Sequence, residues 1–575
     1  MTISDFKQAL PLIAGLLGCP AALAAVEIGG LDEELETAVR SAVSLSSEPC
    51  DAPGWRIDTL HQRAADEVRS ALQANGHYSA RIDSEIEQGS DCWVARIDVE
   101  PGPPVLIRDI TLNIRGEAAD DPEFESLLAE SAIAAGQPLD HAEYESLKSE
   151  LTTLAQRKGY ADAELTESRV DVYPDELAAD IVLELESGAR YAFGEIVIDQ
   201  DFLNDELVRR FVEFKRGDPF DRDELTSLYS ALIDSGYFGL IDIRPLTPDP
   251  ERREIPIRIE LTPGQPKVLS YGGGYSTDTG PRLRVSRNNR RLNPRGAQLN
   301  TNIELSPVLS ELWIGHRFPH GDPRSEWISF DAGLLREDSE TIESERIELG
   351  ARRSVTRWDD WQETHFINFL VEDFKIAEEA GSTTLLQPGI GWLRVRADNT
   401  IRPQRGDRYM FEISVSSDRL VSDTSFVQTI AETRWIRSLG DRTRVLTRLR
   451  AAATWNNDFQ ALPPSARYFA GGDSSIRGYE FRSQGPVDAN GVVVGGDRLL
   501  VGSAEYEYRV KERWSVATFY DTGNAFHGTD VDAIAGFGIG ARWLSPLGPI
   551  RMDIARPLDG VDRDLRLHIS LGPDL

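Results

Sequence analysis

Long hydrophobic runs are scarce in this 575-residue sequence. Beyond the first 30 residues it lacks any apolar stretch of about 18, so no transmembrane helix is expected there. Positive charge is also short. Its 62 Lys and Arg face 95 Asp and Glu, a net charge of -33. That balance repels a phosphate backbone and argues against nucleic-acid binding. The three cysteines form no CxxC or Cys/His spacing, which leaves no zinc site. There is no GxSxG elbow and no HExxH pair. His316 and His320 in "HRFPHGD" are four apart, but on a strand-turn they need not share a face, and a surface loop is the expected setting. Catalytic residues, metal and cofactors are therefore all expected to be absent. The length calls for several domains.

The N-terminus is apolar after Lys7 and runs into small residues at Ala22-Leu23-Ala24. That pattern predicts a cleaved export signal over residues 1–24. "LLGC", ending at Cys19, weakly resembles a lipoprotein box, but Pro20 follows it. Once the signal is cut, Cys50 and Cys92 remain, and an oxidising compartment favours their pairing. In the chain-entropy model such a loop stabilises the fold by roughly 4 kcal/mol.

The front half repeats. "SALQANGHYSARI", "TLAQRKGYADAEL" and "ALIDSGYFGLIDI" each carry a helical pattern into a glycine and then an aromatic. The apolar positions are Leu60, Ala64, Val68 and Leu72, then Tyr144, Leu147, Leu151 and Leu154, then Leu225, Leu228 and Leu232. Gly76, Gly159 and Gly236 suit left-handed helix ends. "GQPLD" (Gly136 to Asp140) and "GDPFD" (Gly217 to Asp221) precede the second and third main helices. Each unit reads strand, helix, helix, strand, strand. Small sheets of this kind leave an edge strand for an added chain.

From about Lys267 strict alternation replaces the helical period. In "DLRLHISL", Leu565, Leu567, Ile569 and Leu571 share one face, and Arg566, His568 and Ser570 the other. "RVLTRLRAAATW" and "PIRMDIARPL" alternate likewise. About sixteen such runs fit a large antiparallel membrane barrel, whose closure leaves no edge in lipid. Trp313, Trp327, Trp435, Trp455, Trp514 and Trp543 are expected in interfacial girdles.

Three motifs now carry a resemblance. "SSIRGYEF" resembles the arginine-glycine-aromatic loop motif of BamA-type outer-membrane assembly and secretion proteins. "FYDTG" (Phe519 to Gly523) and "GFGIGARWLSPLGPIRMDIARPL" resemble strand motifs of the same family. The repeats look like its POTRA domains. Three such units resemble the TamA type, the outer-membrane subunit of the translocation and assembly module. "GGGYSTDTGPR" (Gly272 to Arg282) and the final "LGPDL" fit that type. The expected layout is a signal at 1–24, POTRA units at 25–104, 105–187 and 188–265, and a barrel at 266–575.

The resemblance implies an outer-membrane factor that inserts or translocates β-rich clients and autotransporters. It implies POTRA domains in the periplasm and a TamB-like, inner-membrane-anchored partner received by them. A secretion transporter exporting one dedicated partner is the alternative. Strand parity adds residue-level expectations. Arg477, on a loop folded into the lumen, is expected to bind Glu505 and Asp521, away from the opening wall. Ile476, Gly478, Tyr479 and Gly523 complete that clamp. The opening wall is expected between first and last strands. Gly272, Gly273, Gly274 and Tyr275 lie on one side, and Leu567, Ile569, Leu571 and Gly572 on the other. A weak seam exposes a strand edge for β-augmentation.

Overall fold

The computed structural model describes residues 25–88, 92–399, 401–545, 548–559 and 564–571. The expected signal and Gly572 lie outside the described residues. Among those described, no helix is long and apolar enough to cross a membrane.

Three α+β units open the chain. The first holds β1 (Ala25–Gly29), α1 (Glu33–Ala42), α2 (Gly54–Ala74), β2 (Arg81–Gln88) and β3 (Trp93–Glu100). The second holds β4 (Leu106–Arg115), α3 (Pro122–Glu130), α4 (His141–Lys158), β5 (Glu164–Tyr173) and β6 (Ala178–Glu186). The third holds β7 (Ala192–Asp199), α5 (Asp205–Arg209), α6 (Arg222–Ser235), β8 (Phe238–Pro245) and β9 (Glu254–Pro263). Each forms a three-stranded sheet with its last strand in the middle, in the orders β1-β3-β2, β4-β6-β5 and β7-β9-β8. The helical apolar stripes make the cores: Ala64, Val68 and Leu72 are buried in the first, and Tyr144, Leu147 and Leu151 in the second. Cys50 and Cys92 are disulfide-bonded, with Cα atoms 4.6 Å apart.

The helix-end glycines lie where successive units meet. Gly76, Gly159 and Gly236 all have positive φ (82°, 86° and 69°). The Gly76 carbonyl accepts the Val105 amide at 2.9 Å, and the Leu139 carbonyl fills the space a Cβ would need. Gly159 repeats this with the Tyr191 amide at 2.9 Å and the Phe220 side chain against it. The "GQPLD" and "GDPFD" segments therefore do two jobs. Leu139 and Phe220 seat the preceding helix end. Asp140 accepts the Ala142 amide and Asp221 the Asp223 amide, at 2.7 and 2.9 Å, at the starts of α4 and α6. At the third glycine the neighbour is the turn between barrel strands, where the Arg290 side chain packs on Gly236. The Tyr237 hydroxyl donates to the Gly296 carbonyl at 2.6 Å.

Sixteen antiparallel strands follow. They are β10 (Lys267–Ser276), β11 (Gly280–Asn289), β12 (Gln298–Leu305), β13 (Leu309–Pro319), β14 (Glu326–Asp338) and β15 (Ile342–Thr356). Next come β16 (Gln362–Ile376), β17 (Glu379–Ala397), β18 (Arg405–Ser416), β19 (Phe426–Ser438) and β20 (Thr443–Asn456). The last are β21 (Arg498–Lys511), β22 (Trp514–Phe526), β23 (Ile534–Ser545), β24 (Gly548–Pro557) and β25 (Arg566–Leu571). Every strand pairs with its sequence neighbours, and no ladder joins β10 to β25 among the described residues. The alternation holds: Leu449, Trp455, Val516, Tyr520 and Leu567 are exposed on the outer wall, while Arg444, Glu505, Asp521 and His568 are buried inside.

The tryptophans divide differently from the expectation. Trp435, Trp514 and Trp543 face outward near the end where β10 enters, and Trp514 stacks on Trp543 at 5.6 Å. Trp455 faces outward at the other end. Trp313 and Trp327 turn into the lumen. Trp313 lies opposite Gly333 and covers its bare backbone, and Trp327 carries the Arg317 guanidinium 4.5 Å above its ring. Their parity sets them with the polar face, where a small neighbour and a cation give them partners.

Candidate functional site

The longest connection, residues 457–497 between β20 and β21, folds into the barrel. Apolar side chains seat it: Leu462 and Ala466 pack with Leu370, Leu385 and Phe426, and Ile476 packs with Leu499, Val501 and Ala525. Ile476 drives the tip inward, which carries Arg477 to the β21–β24 wall. Arg477 is 7% exposed.

Its guanidinium is saturated. Nε and Nη2 donate to the two Asp521 oxygens at 2.7 and 2.9 Å, a bidentate fork. Nη1 donates to Glu505 at 2.7 Å and to Asp553 at 3.2 Å. The Phe519 ring lies beneath, 3.4 Å from the guanidinium carbon. A second cation, Arg542, donates to Glu505 at 2.8 Å and to Asp553 at 2.5 Å. Two arginines and three carboxylates thus knit the loop to β21, β22, β23 and β24. Glycines permit the approach. Gly478 adopts φ 103° against the backbone of Arg556 and Pro557. A Cβ on Gly536 would fall 1.9 Å from the Arg477 carbonyl oxygen. The Tyr479 hydroxyl donates to the Ala535 and Asp559 carbonyls at 3.2 and 3.3 Å. Gly523, at φ 138°, lets β22 pass against the Leu500 carbonyl.

Strand parity placed Arg477, Glu505 and Asp521 together. It did not single out Asp553, Arg542, Phe519, Asp473 or His568, although Asp553 and His568 stand on the polar faces of alternating runs. The clamp's position also differs from the expectation. The strands it grips run up to the seam rather than across the barrel from it, because the loop tip drops onto the last five strands.

The seam itself joins the cluster. Asp473, four residues before Arg477, accepts the Ser276 hydroxyl at 2.9 Å and the Thr277 hydroxyl at 3.2 Å. Its amide donates to Asp278 at 2.7 Å. Its other contact is His568 on β25, with Nδ1 at 2.5 Å from Asp473 Oδ1. The Gly478 amide donates to His568 Nε2 at 2.9 Å, which fixes the ring proton on Nδ1, aimed at Asp473. Asp278, Asp473 and His568 bring their ligand atoms within 4.8 Å of one another. With the imidazole proton between them they form a hydrogen-bonded relay, not an open set of metal donors. Burial, with the Asp473 carboxylate beside it, pushes Asp278 up to about 6.

Gly272, Gly273, Gly274 and Tyr275 lie on β10, and Leu567, Ile569 and Leu571 on β25. What joins the two strands is sparse. The Thr277 amide donates to the Ile569 carbonyl at 3.4 Å, and Arg282 reaches the Leu571 carbonyl at 3.0 Å. Tyr271 and Tyr275 are exposed.

Comparison with known proteins agrees with this architecture. Residues 328–574 match the Omp85 superfamily domain, residues 25–101 the POTRA domain TamA domain 1, and residues 191–264 the POTRA family described as surface antigen variable number repeat. The outer membrane protein assembly factor BamA of Nitratidesulfovibrio vulgaris is 22% identical over 95% of this chain and 72% of its own. BamA of Neisseria meningitidis serogroup B is 23% identical over 88% of this chain and 72% of its own. A crystal structure of Haemophilus ducreyi BamA lacking POTRA domains 1-3 shares the fold. Its TM-score is 0.69 at 14% identity, covering 81% of this chain and 99% of that one. The barrel therefore lies in the outer membrane and the α+β units in the periplasm. Residues 328–574 thus carry an Omp85 superfamily domain, and residues 25–101 and 191–264 carry POTRA domains.

Proposed function

We propose that this protein is an outer-membrane assembly factor that helps insert or translocate β-rich clients, including autotransporters, through its β10–β25 seam. One observation carries the reading: among the described residues of the sixteen-stranded sheet, the first and last strands lack a ladder partner on one side. Unpaired backbone groups cannot stay bare in lipid, so an incoming client strand gains hydrogen bonds by adding to β10. The three glycines of β10 weaken its own packing and ease that exchange. No chemical step and no cofactor is involved. The matched relatives are named as assembly factors, which supports the same reading. We assign the periplasmic arm to a TamB-like, inner-membrane-anchored partner that docks through the first POTRA unit. The TamA-type match over residues 25–101 favours that choice.

The test locks the seam. Cysteines replacing Tyr275 and Leu571, which share the outer face beside the Thr277–Ile569 hydrogen bond, are placed to form a disulfide across it. The oxidised variant should lose client assembly and the reduced variant regain it. The reductant also reaches Cys50–Cys92, so each single-cysteine variant serves as the reduced control. Full client assembly in the locked barrel would sink the seam mechanism.

A further inference from the structure

We infer that the lumen loop is the latch of the seam, with Asp473 and His568 as the bolt that holds the last strand to the first. The inference rests on the seam reading above and adds what controls it. Among the described residues no ladder joins β10 to β25 and the Thr277–Ile569 and Arg282–Leu571 contacts are few, so the boundary needs further cohesion. Asp473 supplies it. One carboxylate accepts two hydroxyls from the first hairpin, Ser276 and Thr277, and the imidazole proton of His568 from the last strand. It belongs to neither strand, so it must stay in place for both to stay together. The loop backbone reinforces the contact: the Asp473 amide binds Asp278 on the first side, and the Gly478 amide binds His568 on the last. Arg566 on β25 adds an ion pair to Glu480 of the loop at 2.7 Å.

The bolt is tied to the clamp. His568 stands directly opposite Asp553 in the β24–β25 ladder, and Asp553 binds both Arg477 and Arg542. The arginine network therefore fixes the height and angle of the loop, and the fixed loop presents Asp473 to the seam. Lifting the loop would release both seam strands in one movement. Side-chain hydrogen bonds at a ladder-free boundary make a closure that opens without unpairing a strand ladder.

Spin labels at Tyr275 and Leu567 test this. Both side chains are exposed on the outer wall, one on each seam strand; Cys50 and Cys92 are oxidised and take no label, and Cys19 is replaced by serine. The labelled wild type in lipid nanodiscs should give one short, narrow distance distribution. Asp473→Ala and His568→Ala should each add a longer component, the open fraction rising about tenfold for the loss of a charge-assisted hydrogen bond. The Ser276→Ala variant removes one first-hairpin donor to Asp473 and leaves the direct Thr277–Ile569 contact in place. It should shift the same way should the other two fail to fold. Glu337→Gln loosens the loop's distant anchor at Arg482 and should leave the distribution unchanged. Unchanged distances in the bolt variants, or an equal shift in Glu337→Gln, overturn the latch. Client assembly is read in parallel. Shifted distances with unaltered assembly keep the latch and reject the seam as the client route. Unshifted distances with assembly lost on seam locking do the reverse.

Discussion

Arg477 was visible in the sequence because it broke a pattern: one cation in a glycine-rich stretch beside strands whose parity put Glu505 and Asp521 inside. Asp473 and His568 were hidden because their meeting depends on how far a long loop descends, and alternation does not encode that depth. The arginine carries a clear energetic prediction. Arg477→Ala leaves Asp521, Glu505 and Asp553 buried with a cation removed, which costs about 3–5 kcal/mol. Heat-modifiability of the barrel on gels should fall accordingly, and a midpoint within about 0.5 kcal/mol of wild type would reject the clamp as a brace. Asp278 carries a pH prediction. Its folded value, about 6, lies above its ordinary 3.8, so the folded state holds its proton more tightly. The stability this group contributes is complete below its ordinary value and disappears as pH rises through about 6. Asp278→Asn keeps the acceptor for the Asp473 amide and removes the charge. It should flatten the change of melting temperature with pH across that interval and raise heat resistance at neutral pH. An unaltered slope would show that another group governs it.

At the scale of elements, the helices and barrel strands were legible because each has a strict period, and the helix-end glycines because only glycine tolerates φ near 80° there without penalty. The tryptophans were misassigned in two cases, because position near a run end says nothing about parity. Trp313 and Trp327 sit on the inward face, where Gly333 and Arg317 accept them. The role of "GQPLD" and "GDPFD" as joints was legible as a repeat but not as a contact, since the partner glycine lies in the preceding unit. That joint is testable at its third occurrence. Burial pushes the Tyr237 hydroxyl up to about 12, which keeps it protonated as the donor to Gly296. Tyr237→Phe leaves the buried Gly296 carbonyl without that donor and should cost about 1–3 kcal/mol. Hydrogen exchange should report faster amide opening in the turn between β11 and β12, with the β15–β17 ladder unchanged. Equal exchange in the two proteins would remove the tyrosine from the joint.

At the scale of the whole barrel, the same loop that grips the seam also reaches the opposite strands. Arg482 binds Glu337 of β14 at 2.8 Å, Arg467 binds Glu379 of β17 at 3.1 Å, and Ser465 donates to Glu372 of β16. With Val494 buried among Ile342, Phe374 and Ile376, the loop is fastened on both sides of the outer mouth. A barrel so plugged is a poor pore. In planar bilayers the wild type should conduct in rare, brief steps instead of the steady current of a porin. Glu337→Gln with Glu372→Gln weakens the far anchors and leaves the Arg477 network and the bolt intact. It should therefore raise the frequency of conducting events without lengthening the distance between spin labels across the seam. A porin-like current in the wild type would show that the loop does not close the mouth. A conductance rise that comes with seam widening would show that mouth and seam open as one gate.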